Sequence, residues 1–152
     1  MKARVKLAVA SYVIAILIRL GFGLRYLTAR ALTSYHIAAI GTAWSDLPRA
    51  YQILFLAMIR GGGSGMLAVA VAGAFLLAYP FRKGENWSRW ALLLTGLTID
   101  VSMTYVALAV QMGTPASTPW GVPAFGILLD VLGFALSWPG RSSLDDLLTV
   151  TR

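Results

Sequence analysis

Residues 89–112 read RWALLLTGLTIDVSMTYVALAVQM, and between Arg89 and Met112 the stretch carries a single charge, Asp100. As a helix rising 1.5 Å per residue it extends about 36 Å, enough to cross a hydrocarbon core of roughly 30 Å. Three further apolar stretches of crossing length stand at about 6–28, 53–80 and 120–138. The expectation is an all-α, polytopic membrane protein: a four-transmembrane-helix bundle forming a single transmembrane domain over residues 1–152.

Composition points the same way. Hydrophobic residues make up 58% of the chain and charged residues 12%, against about 25% charged in soluble domains. With a mean hydropathy of +0.72, the outward face has to meet lipid, and spans in lipid satisfy their backbone hydrogen bonds internally as helices. A multi-pass place in a cell membrane, of the bacterial inner-membrane kind, follows as the expected localisation, with membrane lipids as the first partners. There is no cysteine, which excludes disulfides, thiolate nucleophiles and iron–sulfur clusters but leaves the redox compartment open.

The net charge of +7 would suit nucleic acid, yet the thirteen Lys and Arg residues mark the edges of the spans and form no soluble basic patch. No nucleic-acid partner is expected. Lys2, Arg4 and Lys6 before the apolar run Leu7 to Leu20 resemble a signal peptide, but Arg19 interrupts the run and no small-x-small cleavage site follows it, so an uncleaved helix is the better reading.

Lys and Arg are retained on the cytoplasmic side of membrane proteins. The basic N-terminus and the basic connection around Arg82, Lys83 and Arg89 belong inside, and the uncharged connection 113–119 belongs outside. That alternation gives an N-in, C-in topology and leaves 140–152 as a polar cytoplasmic tail. Arg25, Arg30 and Arg49 lie on the nominally outer side, against the trend. Trp87, Trp90, Trp120 and Trp138 fall at span ends, where an indole suits the headgroup region.

Two features punctuate the chain. Gly61, Gly62, Gly63 and Gly65 in the second span either admit a neighbouring backbone or hold a local distortion. The loop 29–50 contains Ser45-Asp46-Leu47-Pro48, which reads as a helix start with a capping side chain and a first-turn proline.

Ionisable residues within spans are costly and usually face the bundle interior, so they carry the most information here. Asp100 lies ten residues beyond Trp90, and Asp130 ten beyond Trp120. At 1.5 Å per residue both stand about 15 Å deep on oppositely directed helices. Arg19 reaches the same layer from the first span. Small or polar residues share their helical rows: Ser11, Ala15 and Gly23 with Arg19; Gly96, Thr104, Ala107 and Gln111 with Asp100; Gly126, Gly133 and Ser137 with Asp130. A buried cluster of Arg19, Asp100 and Asp130 is the expected site, with Tyr12, Tyr105 or Thr104 placed to join it. One guanidinium leaves one carboxylate uncompensated unless Arg60 also reaches in; without it, one aspartate should hold a proton. Such a pair is suited to general acid/base work or proton carriage, while the competing reading is an internal salt bridge that only orients helices.

His36 is the one histidine, so a haem held by two histidines within the chain is excluded, and with no cysteine neither a zinc centre nor any other metal site is expected. It reads as an interfacial loop residue or as a proton-handling group at the outer mouth. Asp46 reads as a helix cap and Glu85 as a partner of Arg82 or Arg89. Trp44 and Tyr35 either line a cavity mouth or anchor the loop in headgroups. No cofactor is implied: no phosphate-binding glycine loop is present, and the run at 61–65 lacks a following Lys-Ser/Thr.

Ile18-Arg19-Leu20-Gly21-Phe22-Gly23-Leu24 and Pro80-Phe81-Arg82-Lys83-Gly84-Glu85-Asn86-Trp87-Ser88-Arg89-Trp90-Ala91-Leu92 are similar to segments of small bacterial four-span proteins of the DoxX-like kind. The resemblance implies a four-helix membrane fold and no particular reaction. Three functions fit the residues: an accessory or scaffold component, alone as a homo-oligomer or in a larger membrane complex; a membrane-embedded acid/base enzyme, of isomerase or cyclase type, on a lipophilic small molecule; and a proton-coupled small transporter. The enzyme requires a cavity that reaches the carboxylates. The accessory component requires none.

Overall fold

The computed structural model describes residues 3–138, and every regular element in them is helical. Lys2 and the expected polar tail 140–152 lie outside the described residues. The elements are α1 (Ala3–Leu27), the short α2 (Ser34–Ile40), a 3-10 turn (Trp44–Asp46), α3 (Arg49–Leu76) running into a π-helical turn (Leu77–Phe81), α4 (Asn86–Gly113) and α5 (Gly121–Ser137). Three helical stretches are long and apolar enough to cross a membrane: Ala3–Leu27, Arg49–Phe81 and Asn86–Gly113. The fourth apolar helix, Gly121–Ser137, has 17 residues, or about 25 Å of rise. It is short because Pro115 and Pro119 hold the preceding segment extended, so helix begins only after Trp120.

Packing follows the small residues. α1 lies between α3 and α5, and α4 closes against α5 and, most loosely, against α3. At the α1–α3 crossing the backbones touch: a Cβ on Gly63 would stand 2.6 Å from the Leu27 nitrogen and 2.9 Å from the Gly23 carbonyl oxygen. Gly73, further along, sits 3.2 Å from Ile16 in the same sense. Such glycine seams let helices gain van der Waals contact that larger residues prevent. Of the glycines at 61–65 only Gly63 serves the seam; a Cβ on Gly61, Gly62 or Gly65 would meet nothing, and the α-helix continues through all of them.

The distortion in this strand of the chain lies elsewhere. Pro80 has no N–H to donate, and the helix widens there into the π-turn. That register change brings Leu77 and Phe81 inward onto Leu92 and Tyr12, and Phe81 meets the Tyr12 ring edge-on at 5.8 Å. The chain then reverses through Gly84, whose φ of 80° suits only a residue without a Cβ.

The distribution of polarity is inverted relative to a water-soluble fold. The largest fully buried side chains are Tyr12, Asp130 and Ser88, while Leu17, Phe75, Leu94 and Leu128 are exposed. An apolar exterior with the ionisable side chains of the spans turned inward is what lipid as solvent selects.

Two expected local contacts do not form. Asp46 caps nothing: α3 starts after Pro48 without a side-chain cap, and Asp46 Oδ1 instead accepts a hydrogen bond from Ser45 at 2.9 Å. The loop is held by Gln52, whose amide donates to the carbonyls of Trp44 and Leu47 at 2.9 and 3.1 Å. Glu85 pairs with neither arginine. Arg89 donates to Asn86 within its own helical turn, and Glu85 offers its backbone carbonyl to Ser88.

Candidate functional site: an ionic triad at the floor of an apolar cavity

Arg19 comes from α1, Asp100 from α4 and Asp130 from α5, the last of which packs against both of the others. The guanidinium engages Asp100 with two bonds, Nε to Oδ1 at 3.2 Å and Nη2 to Oδ2 at 2.7 Å. The same Nη2 also donates to Asp130 Oδ2. All three residues are buried, with Asp130 only 1% exposed. Among the described residues these are the only ion pairs.

Each carboxylate is seated against a glycine of the opposite helix. A Cβ on Gly96 would fall 2.6 Å from Asp130 Cγ and 2.8 Å from Arg19 Nη2, and one on Gly126 would fall 2.8 Å from Asp100 Cγ. Gly96 precedes Asp100 by four residues and Gly126 precedes Asp130 by four. Antiparallel packing therefore lays the Gly-x-x-x-Asp of α4 and that of α5 head to tail, each glycine receiving the other helix's acid. The buried rows match the expected ones on α1 (Ser11, Ala15, Arg19, Gly23) and α5 (Gly126, Asp130, Gly133, Ser137). On α4 the row departs. It runs from Asp100 back through Gly96 and Leu92 to Ser88, whereas Thr104 and Ala107 are only half-buried and Gln111 is exposed.

The residues expected to join the cluster do not. Arg60 is exposed and donates to the Ala29 carbonyl at 2.9 and 3.2 Å, capping the end of α1 rather than reaching inward. Tyr105 is 73% exposed. Thr104 spends its hydroxyl on the Asp100 backbone carbonyl, 2.7 Å away, a local bond that competes with no carboxylate contact. Tyr12 is buried toward the opposite end, its ring packed on Gly133 and its hydroxyl without a hydrogen-bond partner. Asp130 Oδ1 is likewise unpartnered. The triad therefore carries two acids on one guanidinium, with Asp100 fully engaged and Asp130 engaged through one oxygen.

Beyond Asp100, α4 lines a cavity instead of a helix contact. A cavity of about 450 Å³ opens between α3 and α4 on the α2 side of the triad, with Arg19 and Asp100 at its floor. Its walls are apolar, among them Phe55, Met66, Met103 and Val106, and its rim carries Tyr26, Tyr35, His36 and Thr118. Asp130 does not reach it. At the rim the Tyr26 and Tyr35 hydroxyls hydrogen-bond at 2.8 Å, and the Tyr35 and His36 rings lie 4.0 Å apart. His36 Nδ1 pairs with the Thr33 hydroxyl at 2.7 Å. Burial lowers the His36 pKa from its ordinary 6.5 and raises that of Tyr35, the Tyr26 hydrogen bond adding to the latter. Thr118 closes the far side by donating to the Ala107 carbonyl at 2.9 Å. His36 and Tyr35 thus sit at a cavity mouth. Trp44 does not; it is half-buried in the 3-10 turn and lines no part of the cavity.

Sequence reasoning did not single out Tyr26, Met103 or Thr118. Tyr26 follows Arg19 by seven residues, two turns along the same helical face; that spacing was the available signal. Nothing in the 114–120 segment announced that Thr118 would fold back onto α4.

No protein-family model, no curated protein and no solved structure matches the chain.

Proposed function

We propose that the chain is a four-span membrane protein with both termini cytoplasmic, whose outer-leaflet cavity binds a lipophilic small molecule above the buried triad. The observation that carries this reading is the apolar cavity between α3 and α4 ending on Arg19 and Asp100. Its volume falls within the few hundred to a thousand Å³ of small-molecule sites, and apolar walls with few convergent polar groups are typical of them. An accessory or scaffold component would need only the small-residue seams. Four spans are supported by the apolar α5 crossing antiparallel to α4, and the orientation by the basic turn at Arg82 and Lys83 opposite the uncharged 114–119 segment. The DoxX-like resemblance agrees with this arrangement and adds no reaction.

The test is lipid extraction and mass spectrometry of the purified protein, wild type against Ala107→Trp, which fills the cavity without touching the triad. A lipophile retained at stoichiometric level by the wild type and absent from Ala107→Trp supports the reading. Identical lipid content in both would remove it.

A second reading, proton transfer to or from that lipophile, is favoured by Asp100 lining the cavity while a second acid shares its arginine. One proton distributed over two carboxylates is the charge-balanced state, and such a pair suits general acid/base exchange. Deuterium incorporation from D2O into the bound lipophile, lost in Asp100→Asn with binding retained, would establish it; retained exchange in that variant would exclude it.

A further inference from the structure

We infer that the cavity's ligand is a single-chain amphiphile with an anionic head, carboxylate or phosphate, its head held in a polar vestibule at Arg25 and its chain running down to the triad. The inference rests on the proposed lipophile-binding reading and deepens it.

A second chamber of about 420 Å³ adjoins the cavity, lined by Arg25, Thr33, Ser34 and Ser117. Phe22, Tyr26, Tyr35, Thr118 and Pro119 line both chambers, so the two adjoin. One chamber is mixed in polarity and holds a cation, Arg25, and the other is almost wholly apolar. A molecule that satisfies both has a charged end and a hydrocarbon end.

The sign of the charge follows from what is already engaged. Arg19 already donates through Nε and Nη2 to two carboxylates, which together outnumber its single charge, and Arg19 and Asp100 are only 6% and 5% exposed, so the floor does not favour an anion. In the vestibule Arg25 is exposed and makes no hydrogen bond or ion pair among the described residues. Of the paired Tyr26 and Tyr35 hydroxyls one donates to the other, which leaves one O–H at the wall for an acceptor on the ligand. A carboxylate or phosphate oxygen bonded to arginine and hydroxyls gains charge-assisted hydrogen bonds, the strong kind.

The surrounding charge agrees. Between residues 25 and 60 stand Arg25, Arg30, Arg49 and Arg60 against the single acid Asp46. On the proposed outer side these arginines oppose the usual retention of basic residues inside, so topology does not explain them, whereas an anion gathered at the mouth does. His36, held neutral by burial at the rim, adds no charge. Volume sets the chain: 450 Å³ is low in the range of small-molecule pockets, and Tyr26 stands one seven-residue step, about 10 Å of rise, above Arg19. One medium-length chain fits that space, not the paired chains of a bilayer lipid.

Equilibrium binding of decanoate, decyl phosphate, decanol and inorganic phosphate to the full chain in a neutral detergent tests the proposal. Either charged amphiphile should bind about tenfold more tightly than decanol, the scale of one charge-assisted hydrogen bond. Arg25→Gln, at an exposed position, should erase that preference and leave decanol binding unchanged. Equal binding of decanol and the charged amphiphiles, or an Arg25→Gln effect on all of them alike, overturns the anionic head while lipophile binding stands. Inorganic phosphate bound as tightly as decyl phosphate overturns the amphiphile. Binding of none of the four, with no lipid lost from Ala107→Trp, sinks the lipophile reading and this inference together.

Discussion

Arg19 is the residue on which the interior balances. Removing it strands two carboxylates in a buried site, and breaking a buried pair by deleting one partner costs about 3–5 kcal/mol. Arg19→Met should therefore lower thermal stability in detergent sharply, while the triple variant Arg19→Met, Asp100→Asn, Asp130→Asn should recover most of the loss. A triple variant as unstable as the single one would show that the charges are not coupled. The facing glycines make a second, steric prediction. Gly96→Ala and Gly126→Ala each push a methyl into the opposite carboxylate and should cost about 1–3 kcal/mol, as overpacking does. Gly61→Ala, with open space around it, should be neutral or stabilising by up to about 1 kcal/mol through helix propensity; parallel melting curves of the three variants decide the ranking. Much of this was legible in the chain. Ten residues from Trp to Asp on two successive spans put both acids in one layer, and the small residues four positions away marked the faces that meet. What the sequence did not disclose was whether Arg60 joins Arg19 in the cluster, because that depends on the Ala29 carbonyl left free at the end of α1 and lying within reach of Arg60.

At the level of elements, α2 is the part least determined by its own residues. Ser34–Ile40 is a seven-residue helix with no side-chain cap, ended by Gly41 at φ 71°, and helices this short are unstable alone. Its docking rests on Tyr35 and His36 against Tyr26. This is why it read only as loop: its determinants lie on α1, outside any local window. Burial lowers the His36 pKa in the folded state below its ordinary 6.5, so the undocked state binds the proton more readily. Docking is therefore fully stable above pH 6.5 and weakens as pH falls through that value. Amide exchange over 34–40 should accelerate from pH 7.5 to pH 5.5 once corrected for intrinsic rates, and His36→Gln should abolish the change; an unaltered pH dependence in that variant would refute the assignment. The π-turn was equally hidden. Pro80 signalled the end of a span, but only the packing of Leu77 and Phe81 on Leu92 shows that the helix widens before it stops.

Across the whole molecule, four apolar stretches and their inverted polarity could be read from composition and spacing, since lipid as solvent imposes both. The cavity could not. The buried row of α4 ends at Asp100, beyond which the helix lines the cavity, and Thr118 ties its far end to the following segment. The topology proposed here predicts its own labelling pattern. In this cysteine-free chain, Ser34→Cys should react with a membrane-impermeant maleimide on intact cells, and Lys83→Cys only after permeabilisation; the reverse pattern would invert the orientation. The central claim, that a lipophile occupies the space above the triad, is tested most directly by photolabelling in the native membrane. A diazirine-bearing decanoate should leave adducts on cavity residues such as Ile18, Met66 and Met103, competed away by excess unlabelled ligand. Adducts confined to outward-facing residues such as Leu94 and Leu128, and insensitive to competitor, would contradict it.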